Sequence, residues 1–191
     1  DCGDSYTADE VPSTGHSYEN GTCICGAVEI TGPKEDTSLE FMNSTFSMGE
    51  ELKVAYSISY AVATKYPTFY VEVVKENKNG EPTTVIFDGA DMTALGTFMK
   101  QFTFNGIYSY EMGDEFVATI YAEDANGQKY VGESKTYCIA DQILDIVKNP
   151  NTEARQRMLK LGVDMLNYGA AAQIYFGYDV ENLVNASLTE E

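Results

Sequence analysis

The sequence predicts a mainly β protein: an immunoglobulin-like antiparallel β-sandwich, a C-terminal two-helix hairpin packed on it, and a loop-rich N-terminal Cys/His element. Three observations predict this. From about residue 38 to Tyr137, short runs of β-type residues are punctuated by turn residues at the spacing of a sandwich. After Tyr137 the apolar period lengthens from two to three or four residues. Before residue 33 the chain is rich in Gly, Ser, Thr and Asp and holds Cys2, Cys23, Cys25 and the only histidine, His16. The expected partition is therefore 1–32 for the Cys/His segment, 33–137 for the sandwich, and 138–191 for the hairpin and tail of the same module.

Seven strands are expected, and the clearest spans Glu51 to Ala61. There Leu52, Val54, Tyr56, Ile58 and Tyr60 alternate with smaller or polar residues, the period of a half-buried strand. Thr68 to Lys75 repeats the pattern with Phe69, Val71 and Val73. Asn77-Lys78-Asn79-Gly80 then reads as an Asn-Gly hairpin turn with positive φ angles, returning the chain through Thr83 to Asp88. Phe98, Phe102 and Phe104 share one face of the next run. Phe116 to Glu123 is apolar on both faces, as a central strand would be. Asp124-Ala125-Asn126-Gly127 has a calcium-like look, but it lies between two strand runs and reads as a hairpin tip leading into Gln128 to Tyr137.

Ile139, Ile143, Ile146 and Val147 fit a short helix that Asn149-Pro150 ends, because the residue before proline is pushed out of helical backbone. Thr152 begins a second helix. Its stripe of Leu159, Gly162, Leu166, Gly169, Gln173 and Phe176 should lie on the sandwich, with the small residues allowing close approach, and Gly177 should terminate it.

The composition narrows the function classes. Hydrophobic residues make up 43% and aromatic residues 12%, which fits a folded chain of 191 residues with one main core. With 12 basic and 30 acidic residues the net charge is −18, so nucleic-acid backbones and anionic membranes would repel it. No apolar run reaches the length of a membrane span, so no membrane insertion is expected. The first residues lack the basic and apolar regions of a signal peptide, which reads as a mature form or an excised fragment.

Cys2, His16, Cys23 and Cys25 offer four donors within a short stretch, enough for a closed tetrahedral structural zinc site. The spacing Cys23-Ile24-Cys25 has one residue fewer than a zinc knuckle. The alternative is disulfide bonding among Cys2, Cys23, Cys25 and Cys138, which an oxidising exterior and an even cysteine count favour. A bridge between Cys23 and Cys25 would be strained, leaving Cys2 and Cys138 as their partners. Cys138 also suits a buried packing role in the first helix. No catalytic residues are expected: a Ser/His or Cys/His nucleophile would have to use His16, among the candidate ligands. Of the fourteen tyrosines, Tyr66, Tyr70, Tyr108 and Tyr110 are candidates for a glycan-stacking platform, although tyrosine is equally a normal strand residue.

Met165-Leu166-Asn167-Tyr168-Gly169-Ala170-Ala171-Ala172-Gln173, then Tyr175-Phe176-Gly177-Tyr178 and Asn182-Leu183-Val184-Asn185-Ala186, resemble a signature that closes a module in large secreted proteins of anaerobic Firmicutes. With Thr136-Tyr137-Cys138-Ile139 the resemblance covers roughly residues 38 to 188. The segment Gly15 to Ala27 is similar to a short repeat of the same proteins, in which a Gly-His pair precedes a Cys-x-x-Cys-Gly turn. The resemblance implies an extracellular or cell-surface role beside adhesion, carbohydrate-active and immunoglobulin-like domains, and nothing about catalysis. The expected function is a non-enzymatic structural module: a spacer, adhesin or filament building block. Its partners would be other domains or subunits of a surface assembly, including copies of itself. The alternative is a carbohydrate- or glycoprotein-binding module.

Overall fold

A computed structural model describes residues 18–19, 22–23, 32–48 and 51–188. The chain divides into two compact units, Asp1–Lys34 and Glu35–Glu191. In the first, β1 (Tyr18–Glu19) and β2 (Thr22–Cys23) form a short antiparallel ladder that pairs Tyr18 with Cys23. A small hairpin thus stands inside the segment that the sequence predicts to be loop.

The other nine strands among the described residues form two sheets. The five-stranded sheet has the order β3-β11-β10-β6-β7 and the four-stranded sheet the order β4-β5-β9-β8. Their ranges are β3 Lys34–Glu35, β4 Phe41–Met48, β5 Leu52–Ser59, β6 Thr68–Lys75, β7 Thr83–Asp88, β8 Thr93–Leu95, β9 Met99–Ile107, β10 Glu115–Glu123 and β11 Lys129–Cys138. Consecutive strands pair as β4/β5, β6/β7, β8/β9 and β10/β11, and the chain changes sheet after each pair. Nine strands replace the expected seven because short edge segments carry too few residues to show a period of two.

The alternation in β5 buries Val54, Tyr56 and Ile58 completely. Tyr56 joins the two sheets: its ring stacks on Phe102 at 5.2 Å, and its hydroxyl donates to the Phe116 carbonyl of the opposite sheet at 3.4 Å. Burial pushes that hydroxyl's pKa upward, so it stays a donor at any ordinary pH. Phe69, Val71 and Val73 of β6, and Phe116, Ala118, Ile120 and Ala122 of β10, fill the same core. β10 is the middle strand of its sheet, but its second face is only partly covered.

Four local expectations are corrected. The strand expected to reach Ala61 ends at Ser59, whose hydroxyl accepts from the Ala61 amide and caps a short helix, α1 (Tyr60–Lys65). Phe98 precedes β9 and is 75% exposed, while Phe102 and Phe104 are buried. Asn79-Gly80 is not a positive-φ turn: Asn77 Oδ1 accepts from the Asn79 amide, the Asn77 carbonyl accepts from Gly80, and both turn residues keep ordinary φ. Contacts from far along the chain hold this loop, since the Lys78 amide donates to the Tyr178 hydroxyl and Asn79 Nδ2 to the Gly177 carbonyl. The fourth is Phe176, whose side chain leaves the buried stripe of its helix for solvent. The Asn126-Gly127 tip is as expected, with Asp124 Oδ1 accepting from the Asn126 and Gln128 amides and Gly127 at φ +79°.

The C-terminal hairpin consists of α2 (Ile139–Lys148) and α3 (Glu153–Phe176). Thr152 Oγ1 caps α3 by accepting from the Arg155 amide, and Gly177, at φ +66°, ends it in the left-handed conformation. Ile139, Ile143, Leu166 and Ala170 belong to the same core as the strands. Among the described residues no helix is long and apolar enough to cross a membrane.

Candidate functional site

Among the described residues an aromatic tract lies where α3 meets the connection between β9 and β10. That connection is a 3-10 turn, Ser109–Glu111. The buried Glu111 carboxylate pairs with Lys75 of β6 and also accepts from the Tyr108 amide at 3.0 Å, which fixes the turn against the sheet. Tyr108, which precedes this turn, and Tyr110 within it stack with ring planes 10° apart and centroids 5.3 Å apart. Tyr110 then meets Phe176 at 5.0 Å and Tyr178 at 5.1 Å, and Phe176 meets Tyr175 edge-on at 4.9 Å. Tyr108 and Phe176 are each 61% exposed and Tyr175 is 83% exposed. Beside the tract runs an apolar cleft of about 490 Å³, bounded by Leu52, Ile107, Met112, Leu161, Met165 and Tyr168.

Below the rings lies a buried polar cluster. The Tyr178 hydroxyl donates to Asp114 Oδ2 at 2.7 Å, while Asp114 Oδ1 is buried with no hydrogen-bond partner. Burial is the main cause that lifts the Asp114 carboxyl to about 6; the Tyr178 hydrogen bond opposes this, and the nearby Glu111 charge adds to it. Burial followed by the Asp114 contact raises the Tyr178 hydroxyl as well. Gln173, also buried, closes the C-terminal segment: its Nε2 donates to the Asn182 carbonyl and its Oε1 accepts from the Val184 amide at 2.9 Å. Sequence reasoning placed Gln173 on a packing stripe and missed this clasp. A lone amide amid apolar helix positions was the available signal, since a buried amide must find hydrogen-bond partners.

The structure separates the four tyrosines expected to form one platform. Tyr66 is buried, and its hydroxyl donates to Asp36, which Lys65 also pairs. Lys65 first and Tyr66 second hold the Asp36 carboxyl far below the ordinary range. Tyr70 stacks on Tyr121 across β6 and β10. Only Tyr108 and Tyr110 come together, in the tract described above.

Of the candidate metal ligands, Cys2, His16 and Cys25 lie outside the described residues, and for Cys23 only the backbone, in β2, is described. Cys138 is a free, buried thiol at the junction of β11 and α2, donating to the Met112 carbonyl at 3.5 Å. Burial pushes this thiol up to about 11, so at neutral pH it is protonated and weakly nucleophilic. Among the described residues no group of three His, Cys, Asp or Glu side chains is placed to hold a metal ion. No protein-family model and no curated protein sequence matches the chain.

Proposed function

We propose that the chain is a non-enzymatic, extracellular structural module of a bacterial surface protein, a spacer or filament building block that joins its neighbours by strand addition. The strand orders β4-β5-β9-β8 and β11-β10-β6-β7 support an immunoglobulin-like reading, because they follow the A-B-E-D and G-F-C-C′ sheets of that fold. The observation that carries the proposal is the outer edge of β7. A sheet edge presents unpaired N–H and C=O groups and templates pairing with another chain, so edges are normally shortened, bulged or charged.

Two of the other edges are short, and the third, β4, is irregular only at its start. β3 has two residues and β8 three; β4 has a register shift near Phe41, whose amide donates to the Glu133 carboxylate at 2.6 Å. β7 pairs with β6 in unbroken register, Thr83 to Phe87 contain neither a charge nor a proline, and Ile86 is 61% exposed. A neighbouring strand laid along β7 would gain main-chain hydrogen bonds and cover Ile86. With a donor strand other than β7 itself, such a contact is heterologous and generates open chains rather than closed pairs.

The test is electron microscopy and sedimentation velocity of the intact chain over rising concentration. Open-ended assemblies are expected, and Ile86→Lys, which places a gatekeeper charge on the edge, should abolish them with the melting temperature preserved. Assemblies that survive Ile86→Lys, or their absence at every concentration, would reject strand addition at β7.

A further inference from the structure

Residues 178–188, which follow α3, form turns with no helix or strand among them. Side chains hold this segment to the rest of the fold. Val184 seats against Gly113 and Gly169, where an added methyl group would meet it at 3.0 Å. Gln173 clasps the Asn182 carbonyl and the Val184 amide. At the start of the segment the Tyr178 hydroxyl accepts from the Lys78 amide at 2.9 Å and donates to Asp114 Oδ2 at 2.7 Å. A segment tied in this way opens locally at lower cost than the whole fold unfolds.

The tie at Asp114 depends on charge. Lys75 and Glu76 act on this carboxyl from β6 and the residue after it, Lys78 from the loop that follows, Tyr110 and Glu111 from the 3-10 turn, and Tyr178 from the segment. Glu115, Cys138, Asp141 and Asp179 line the adjoining cleft. Lys75 is paired with Glu111, and Lys78 with Glu76. An ionised Asp114 therefore adds a third carboxylate to two cations that already have partners, whereas the neutral carboxyl adds no charge. It is fully buried and its Oδ1 accepts no hydrogen bond, so the charged form has most to gain from water. Water is close at hand. The cleft, of about 520 Å³, is lined by Gly113 and Glu115, the chain neighbours of Asp114, and by Leu183 and Val184 of the segment itself.

We propose that residues 178–188 form a pH-gated latch: ionisation of Asp114 favours lifting of the segment, which hydrates the carboxylate and opens the cleft that holds Cys138. The latch operates whether or not β7 accepts a strand. The Tyr178 hydrogen bond favours the charged form and opposes lifting, but burial is the larger effect and sets the closed-state carboxyl at about 6. Once hydrated, the same group titrates near ~3.9. The ratio of open to closed segment is therefore lowest below about pH 4 and rises roughly 100-fold by about pH 7. Acid fastens the latch, and neutral pH loosens it.

Hydrogen–deuterium exchange of the intact chain from pH 4 to 8, read by mass spectrometry with each rate divided by its intrinsic chemical rate, tests the proposal. Peptides from 178–188 should lose roughly 100-fold in protection between about pH 4 and pH 7. Their protection should stay well below that of β5 peptides throughout, because the latch opens without unfolding the core. Asp114→Asn should hold the segment near its acid level of protection across the whole range. Tyr178→Phe, which removes the bridging hydroxyl, should lower the segment's protection at every pH. Alkylation of Cys138, read on its own peptide and corrected for the thiolate fraction, should accelerate in parallel with segment exchange. Segment protection that is flat with pH in the unsubstituted chain, or a pH dependence that Asp114→Asn leaves in place, would overturn the latch. Exchange of the segment and β5 together would overturn it too, by showing that only global unfolding hydrates Asp114.

Discussion

Asp114→Asn should make the protein more stable at neutral pH, although Asp114 makes a 2.7 Å hydrogen bond. The carboxyl is fully buried, one oxygen has no partner, and its pKa stands at about 6. An unfolded aspartate titrates near ~3.9. The folded state therefore binds the proton more tightly, and between these values the native chain carries more protons than the unfolded one. Stability from this group is complete below about pH 4 and is lost as pH rises to and through about 6. A shift of about two pKa units corresponds to about 3 kcal/mol, the disadvantage of the ionised side chain at pH 7.

Asparagine has almost the same shape, retains an oxygen to accept from Tyr178, and cannot ionise. Urea denaturation of both proteins from pH 3.5 to 8 measures the difference directly. Titrating groups remote from Asp114 contribute equally to both curves, so the wild-type-minus-variant stability should fall by about 3 kcal/mol between roughly pH 4 and pH 7 and be nearly flat outside that window. Parallel curves would refute the assignment of a buried, destabilising carboxylate at this position. A difference that grows toward acid would reverse its sign.

Two other substitutions test the hairpin. Leu166 is fully buried in the shared core, so Leu166→Ala should cost about 2 to 5 kcal/mol in the same assay through the cavity it leaves; a loss near zero would mean that α3 does not seal the core. Gly169→Ala sets about 1 kcal/mol of helix propensity against a crowded contact. Its new Cβ would lie 2.1 Å from Met112 Cε, 3.0 Å from Val184 Cγ2 and 3.2 Å from the Ser109 carbonyl oxygen. Met112 can turn aside but the carbonyl cannot, so a net loss of about 1 to 2 kcal/mol is expected, and a rise in melting temperature would show that helix and turn are not in contact.

Much of the fold was legible because it rests on local periodicity. Val54, Tyr56 and Ile58 face the core because alternate strand residues share a face; Thr152 and Gly177 bound α3 because capping and left-handed backbone are nearly residue-specific; Asn126-Gly127 turns because Asp124 folds back on its own amides. The sequence by itself thus determined the mainly β class, most strand positions, both helices of the hairpin and the hairpin tip at Asp124. It also set the net charge at −18.

The rest was decided by contacts between residues far apart in the chain. Asn79-Gly80 had the chemistry of a two-residue turn, yet Tyr178 and Gly177 hold its loop in another conformation. Tyr66 and Tyr108 are alike in sequence, but Asp36 captures the first while the turn pinned by Glu111 and Lys75 presents the second. Asp114 is one of thirty acids with no distinguishing neighbour, and it becomes unusual only when β6, the 3-10 turn and the segment after α3 close over it. Which edge is left unguarded, and which face of α3 is left over, are likewise properties of the assembled sheets and hairpin. Local pattern says which side of an element is apolar; only the tertiary fold says whether the protein has already covered it.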